Sequence, residues 1–209
     1  MEINKRKIIK AVVVIQGPSD YVHELKLAWA GFDLIWSTWR GDESKYYNND
    51  VVIFNDKPTD PGTGNIVWQK LTTLEGIKKA KELGYTHVFK WRSDMIPNNS
   101  KKLFELLDHS ALNFLAWHDG GYFVDYFSYG PIQDMTHAWE FSESDGSFAE
   151  QILTKNIWKN QLTKFHFFVH KLTTDIDIFW AKYKVSMLSY QQHPCYATTK
   201  LNKADYGEE

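Results

Sequence analysis

The segment from Asn65 to Met95, NIVWQKLTTLEGIKKAKELGYTHVFKWRSDM, constrains the fold most tightly. Val67, Leu71, Leu74, Ile77 and Ala80 recur close to helical spacing and predict a long helix from about Ile66 to Leu83. Gly84 fits its C-cap. A short apolar strand, Thr86 to Trp91, follows and ends abruptly in Arg92, Ser93 and Asp94, with Lys90 just before them. An open α/β sheet places its chemistry where a buried strand ends in a carboxylate and cations. This grouping suits a diphosphate and a metal ion.

The elements before it alternate. Ile8 to Ile15 is a β-branched apolar run that reads as a buried first strand, stopped by the turn signal Gln16-Gly17-Pro18. Ser19 or Asp20 is placed to cap a helix running to about Ala30. Asp33 to Ser37 and Val51 to Phe54 read as second and third strands, and Thr59 to Asn65 as a Gly/Pro loop. This βαβαβ rhythm predicts an α/β fold with a mostly parallel, Rossmann-like sheet flanked by helices. Further on, Asn99 to Leu107 reads as a helix, Leu112 to Trp117 and Tyr122 to Phe127 as strands around the turn His118-Asp119-Gly120-Gly121, and Pro131 to Phe141 and Phe148 to Trp158 as helices. Phe165 to Val169 and Ile176 to Leu188 are strand-like. No repeat or composition break divides the chain. The expectation is one domain over 1–209: a nucleotide-binding half over about 8–110, a second half over about 111–195, and a flexible tail over 200–209.

Composition excludes several classes. The 24 basic and 26 acidic residues give a net charge of −2, which argues against a surface for nucleic acid. The single cysteine, Cys195, excludes an intrachain disulfide and a Cys/His zinc site, and suits a reducing, cytoplasmic compartment. The longest uninterrupted apolar run, Ala11 to Ile15, is too short for a transmembrane segment. Aromatic residues make up 16% of the chain, which suits stacking on sugars and bases as well as a core of large side chains. There is no GxGxxG fingerprint and no GxxxxGK[ST] loop, which removes the main support for dinucleotide and NTPase readings.

The strand exits carry the candidate donor site. Gly17 lets the backbone between Gln16 and Pro18 approach a ligand closely. The second strand exits into Ser37-Thr38-Trp39-Arg40, with a hydroxyl and a ring suited to a base, and the third exits toward Asp56. A nucleotide lying across these ends would also meet Lys90, Arg92 and Ser93, where a planar guanidinium fork suits phosphate. If the strand stays regular, Lys90, Arg92 and Asp94 share one side and Trp91 and Ser93 the other. Arg92 and Asp94 also suit a plain surface ion pair. Asp94 is the candidate carboxylate for a divalent metal bridging two phosphates. Asp125, Asp119 and Glu150 are the acidic candidates for a catalytic base in the second half of the chain. Asp125 sits among Tyr122, Phe123, Tyr126 and Phe127, an apolar setting, and Glu150 sits at a predicted helix start. Trp117, Trp139 and Tyr122 suit either stacking on an acceptor sugar or core packing, and His118 either donor contact or a plain turn.

Asn65, Gln69, Thr72, Thr73 and Gly76, followed by Lys90, Arg92, Ser93 and Asp94, resemble the signature of the WavE lipopolysaccharide-synthesis family. Asp125-Tyr126-Phe127-Ser128-Tyr129-Gly130 and Glu150-Gln151 resemble two further segments of that family, so the likeness covers roughly residues 8 to 160. It implies a GT-A type glycosyltransferase with a nucleotide-diphosphosugar donor, a glycan acceptor in surface polysaccharide or glycoprotein glycan synthesis, and a metal-binding Asp-x-Asp element. Arg92 stands where many GT-A enzymes carry the first aspartate. With one carboxylate left, Mg²⁺ or Mn²⁺ needs another protein ligand, and the resemblance points to His193 as that late histidine. Alternatively, Arg92 takes over part of the metal's electrostatic function. The other functional readings are a nucleotidyltransferase on a similar sheet and a catalytically silent nucleotide- or sugar-binding domain.

Overall fold

A computed structural model describes residues 8–97, 99–105, 107–116, 123–142, 147, 149–159, 165–169 and 198–200. The first strands are β1 (Ala11–Gln16), β2 (Leu34–Trp39), β3 (Val51–Asn55) and β4 (His87–Arg92). β1, β2 and β4 are β-branched or aromatic runs buried on both faces, as a parallel sheet requires, while β3 at the sheet edge is half-buried. Later come β5 (Met95–Pro97), β6 (Leu112–Ala116), β7 (Phe123–Pro131), β8 (Phe165–Val169) and β9 (Thr198–Lys200). Seven strands form one sheet in the order β3-β2-β1-β4-β7-β6-β8, and β5 pairs with β9 in a separate ribbon. Within the large sheet β7 alone runs against its neighbours. The fold is therefore α/β with a mostly parallel sheet, as expected.

Strand alternation sorts the core into two layers. Val13 and Ile15 of β1 and Phe89 and Trp91 of β4 face α1 (Val22–Ala28) and α3 (Ser100–Glu105), packing with Leu25, Trp29 and Leu103. Val12, Val14 and Val88 face α2 (Ile66–Glu82), α4 (Ile132–Trp139) and α5 (Ala149–Lys159), packing with Ile77, Met135, Trp139 and Ile152. Side chains as large as Trp29, Trp91 and Trp139 are fully buried, and burial of each such group contributes about 1.5–3 kcal/mol.

Several expectations are corrected. Neither Ser19 nor Asp20 caps α1; its N-cap is Tyr21, without a side-chain cap. The Ser19 hydroxyl is instead within hydrogen-bond distance of the Thr38 and Tyr46 hydroxyls, and Asp20 faces Lys45. The buried face of α2 is not the expected apolar stripe of Val67, Leu71 and Leu74. It carries Ile66, Gln69, Thr72, Thr73, Gly76, Ile77 and Ala80, because the helix lies so close to β1 that a Cβ on Gly76 would meet Val14 Cγ1 at 2.2 Å. Pro131 ends β7 rather than lying within a helix. Lys200, expected in a flexible tail, pairs with Met95. Ile176 to Leu188 and the turn at 118–121 lie outside the described residues.

The pairing of β6 with β7 jumps from Phe114↔Ser128 to Leu115↔Val124, so Asp125, Tyr126 and Phe127 are looped out of the β6 register. Such a bulge re-aims the side chains it carries. Since β7 runs antiparallel to β4, this bulge lands beside the C-terminal end of β4, next to Arg92.

Candidate functional site

The C-terminal ends of the parallel strands open onto a cavity of about 230 Å³ lined by Gln16, Gly17, Pro18, Trp39, Lys57, Asn65, Trp68, Gln69, Arg92, Ser93 and Asp94. This is where an open α/β sheet accepts ligands. A larger depression of about 420 Å³ beside Ser19, Lys26 and Lys45 lies along α1 and borders none of the other strand exits.

The floor is fixed by backbone geometry. Gly17 has φ of 119°, a region that favours glycine, and a Cβ there would stand 2.6 Å from Ser93 Oγ. The Ser93 N–H donates to the Gln16 carbonyl at 2.9 Å and the Gly17 N–H to the Ser37 carbonyl at 3.1 Å, which ties the exits of β1, β2 and β4 together. Thr72 Oγ1 donates to Gln16 Oε1 at 2.8 Å and so orients that side chain from α2. Asn65, with φ of 63°, stands in the left-handed region directly before α2. Gln69 Nε2 donates to the Gly64 carbonyl at 3.2 Å, while its buried Oε1 has no partner among the described residues.

One end of the cavity is aromatic. Trp39 and Trp68 meet edge to face at 5.9 Å, Lys57 Nζ lies 3.8 Å from the Trp68 ring centre and 5.6 Å from that of Trp39, and Trp68 Nε1 donates to the Pro58 carbonyl at 2.9 Å. Lys57 and Trp68 were missed in the sequence. Their signals were adjacency to Asp56 at the β3 exit and to Gln69 in the first turn of α2.

The other end is charged. Arg92 Nε and Nη2 donate to the two carboxylate oxygens of Asp94 at 2.8 and 2.6 Å, and Nη1 donates to Asp125 Oδ2 at 3.3 Å. The guanidinium carbon lies 5.3 Å from the Tyr126 ring centre. Burial opposes the Arg92 charge, but the bonds to Asp94 and the Asp125 carboxylate hold its pKa above the ordinary arginine range. Asp125 is 2% exposed, and its Oδ1 has no hydrogen-bond partner among the described residues. Charged groups, Arg92 and Glu150, stand beside it, while Tyr122 and the side chains of Phe123 and Phe127 lie outside the described residues. Glu150, in the first turn of α5, is half-buried, and burial followed by the Asp125 charge pushes its pKa up.

Several sequence-selected side chains lie off the cavity lining, Asp125 and Glu150 among them. Lys90 is fully buried on the α4 side of the sheet, its Nζ 4.8 Å from the Trp139 ring centre and donating to the Asp125 carbonyl. It therefore stands behind the charged cluster, with no open path to a diphosphate. Thr38 is also buried and donates to Asp42 Oδ2 at 3.0 Å, so its hydroxyl is committed to the loop after β2. Asp56 points into solvent and pairs with Arg40 at 2.7 Å. Trp139 is core, its Nε1 donating to Ser128 Oγ at 3.1 Å, rather than an acceptor platform. The parity expected along β4 holds: Trp91 joins the α1 layer and Lys90 faces the opposite one. His193, Asp119, His118, Trp117 and Tyr122 lie outside the described residues.

The donor set around Asp94 does not fit a divalent ion as it stands. Both Asp94 oxygens accept from Arg92, and among the described residues no three His, Cys, Asp or Glu side chains group to hold a metal. Magnesium and manganese require several oxygen or nitrogen ligands free to turn toward the ion.

No protein-family model matches the sequence, and no curated protein matches it. Among solved structures, the fold matches that of a "putative nucleotide-diphospho-sugar transferase" from Desulfovibrio desulfuricans G20, with a TM-score of 0.53, covering 89% of this chain and 91% of that one at 12% identity. The mostly parallel α/β fold expected from the sequence is thus shared with that protein, while the likeness to the WavE family has no matching family model behind it. No helix among the described residues is long and apolar enough to cross a membrane.

Proposed function

We propose that this chain is a glycosyltransferase that moves a sugar from a nucleotide-diphosphosugar donor to a hydroxyl of a glycan acceptor. The observation that carries this reading is the two-ended cavity on the strand ends: Trp39, Trp68 and Lys57 at one end, Arg92 at the other, and the tight Gly17 turn between. Aromatic faces stack on any base, and the guanidinium matches paired phosphate oxygens. The fold shared with the Desulfovibrio protein supports a sugar-nucleotide ligand over other ligands of a similar sheet. The residues that resemble the WavE family support an acceptor from surface glycan synthesis.

In this reading the base lies against Trp68 and Trp39, and the diphosphate crosses Gly17 toward Arg92. The donor sugar then faces Asp125 and Glu150. Asp125 steadies Arg92 with one oxygen and so fixes the guanidinium that meets the diphosphate. Glu150 takes the acceptor proton as the acceptor oxygen bonds to the anomeric carbon and the sugar–phosphate bond breaks, releasing the nucleoside diphosphate. Its raised pKa brings its basicity nearer the working pH, where a general base is most effective.

Incubation with a panel of nucleotide-diphosphosugars, with and without added oligosaccharides, tests the reading. The expected result is release of nucleoside diphosphate from one donor, accelerated by one class of acceptor. A nucleotide triphosphate consumed with release of pyrophosphate, and no donor sugar released, would favour nucleotidyl transfer instead.

A further inference from the structure

We infer that the donor diphosphate is held by Arg92 through exchange of its Asp94 partner, so that nucleotide binding proceeds without a divalent ion on Asp94. This rests on the glycosyltransferase reading above and specifies how that site holds its donor.

The three contacts of the guanidinium are unequal. On one side Asp125 is buried, and it holds Nη1 from within the β7 bulge while Tyr126 lies against the guanidinium. On the other side Asp94 sits in the turn after β4 with a quarter of its side chain exposed and uses both oxygens on Nε and Nη2. Asp94 is therefore the partly exposed, displaceable partner, whereas Asp125 is buried. When Asp94 leaves, two parallel N–H groups face the cavity in the fork geometry that a pair of phosphate oxygens accepts.

Charge argues the same way. The cavity lining carries two cations, Lys57 and Arg92, against one carboxylate, Asp94. A diphosphate diester brings two negative charges. With Asp94 turned outward or neutralised, the lining matches it; with Asp94 in place, the carboxylate opposes it. A metal on Asp94 would first have to break a charge-assisted pair with both oxygens engaged. The nearest second carboxylate, Asp125, keeps one oxygen on the same arginine and has the other sealed from solvent.

Calorimetric titration of the full chain with UDP, GDP, ADP and dTDP, once in EDTA and once in Mn²⁺, tests this. The expected result is one nucleoside diphosphate that binds in EDTA with an affinity within about threefold of that in Mn²⁺, a difference of less than 1 kcal/mol. In EDTA, Arg92→Gln weakens that binding by about tenfold or more and Arg92→Lys, which keeps the charge without the fork, by less. Asp94→Asn strengthens it by about twofold or more, because one opposing charge is gone. Binding that appears only with Mn²⁺ and is lost in Asp94→Asn overturns the inference and leaves the donor reading intact. No binding by any of the four in either condition overturns both.

Discussion

Lys90 Nζ donates to the main-chain carbonyl of Asp125, so a fully buried amine on β4 fastens the residues looped out of β7. Burial pushes this ammonium down to about 7, against the pull of the Asp125 charge and with help from Arg92. Below that value, folded and unfolded chains both carry the proton. From there up to the ordinary lysine value only the unfolded chain does, so stability rises with pH across that window and is lost as pH falls toward 7. Urea unfolding between about pH 7 and pH 9, short of tyrosine ionisation, will show a positive slope approaching about 1 kcal/mol per pH unit that Lys90→Met lacks. Parallel pH profiles for the two proteins would show that the amine is not proton-linked to folding.

Gly76 sets the distance between α2 and β1. Gly76→Ala will lower stability by about 1–3 kcal/mol through overpacking against Val14, although alanine is the better helix former. Val14→Ala in the same chain will recover part of the loss, measured as a coupling term in a double-mutant cycle. Strict additivity would mean that the helix slides to make room.

Trp68 gives the base its stacking face. Trp68→Ala will cost about 1–3 kcal/mol of nucleoside diphosphate affinity by calorimetry, and Trp68→Phe less. Equal affinities in all three proteins would move the base elsewhere.

Glu150 must be deprotonated to act as a base, so turnover will rise with pH through a pKa above the ordinary glutamate value. Glu150→Gln will lower kcat by about 10²–10⁴ with little change in donor Kd and will remove that acid limb. An acid limb that survives in the variant would assign it to another group.

Much of the donor half was legible because its elements rest on local signals. β1, β3 and β4 are β-branched or aromatic runs with turn residues at their exits, and Gly84, with φ of 77°, follows the last turn of α2. Parallel strands put all their C-terminal ends on one side, so Gln16 to Pro18, Trp39 and Arg92 to Asp94 gather there from order alone. What was not legible depends on register and depth. Nothing local marks three looped-out residues in β7, because the bulge exists only against its β6 partner. Alternation placed Lys90 and Arg92 on one side but not how far each lies from the opening: one is sealed beneath Asp125, the other reaches the cavity. Periodicity on α2 found Ile77 and Ala80 of the buried face but not Gln69, Thr72, Thr73 and Gly76, because small and polar residues make the close approach. Lys57 escaped notice because its Nζ reaches back over two indoles that only the fold assembles.

The β5–β9 ribbon begins directly after Asp94 and draws in residues from far along the chain, Met95 facing Lys200 and Pro97 facing Thr198. The turn that carries Asp94 is thus clasped from both ends of a long excursion. A single protease nick between Pro97 and Phe123 would leave two pieces still stitched together by this ribbon and by the β4–β7 ladder. Trimming the chain short of Thr198 would leave the backbone around Asp94 continuous yet remove its clasp. The position of Asp94 is therefore tied to a strand far along the chain, Thr198–Lys200.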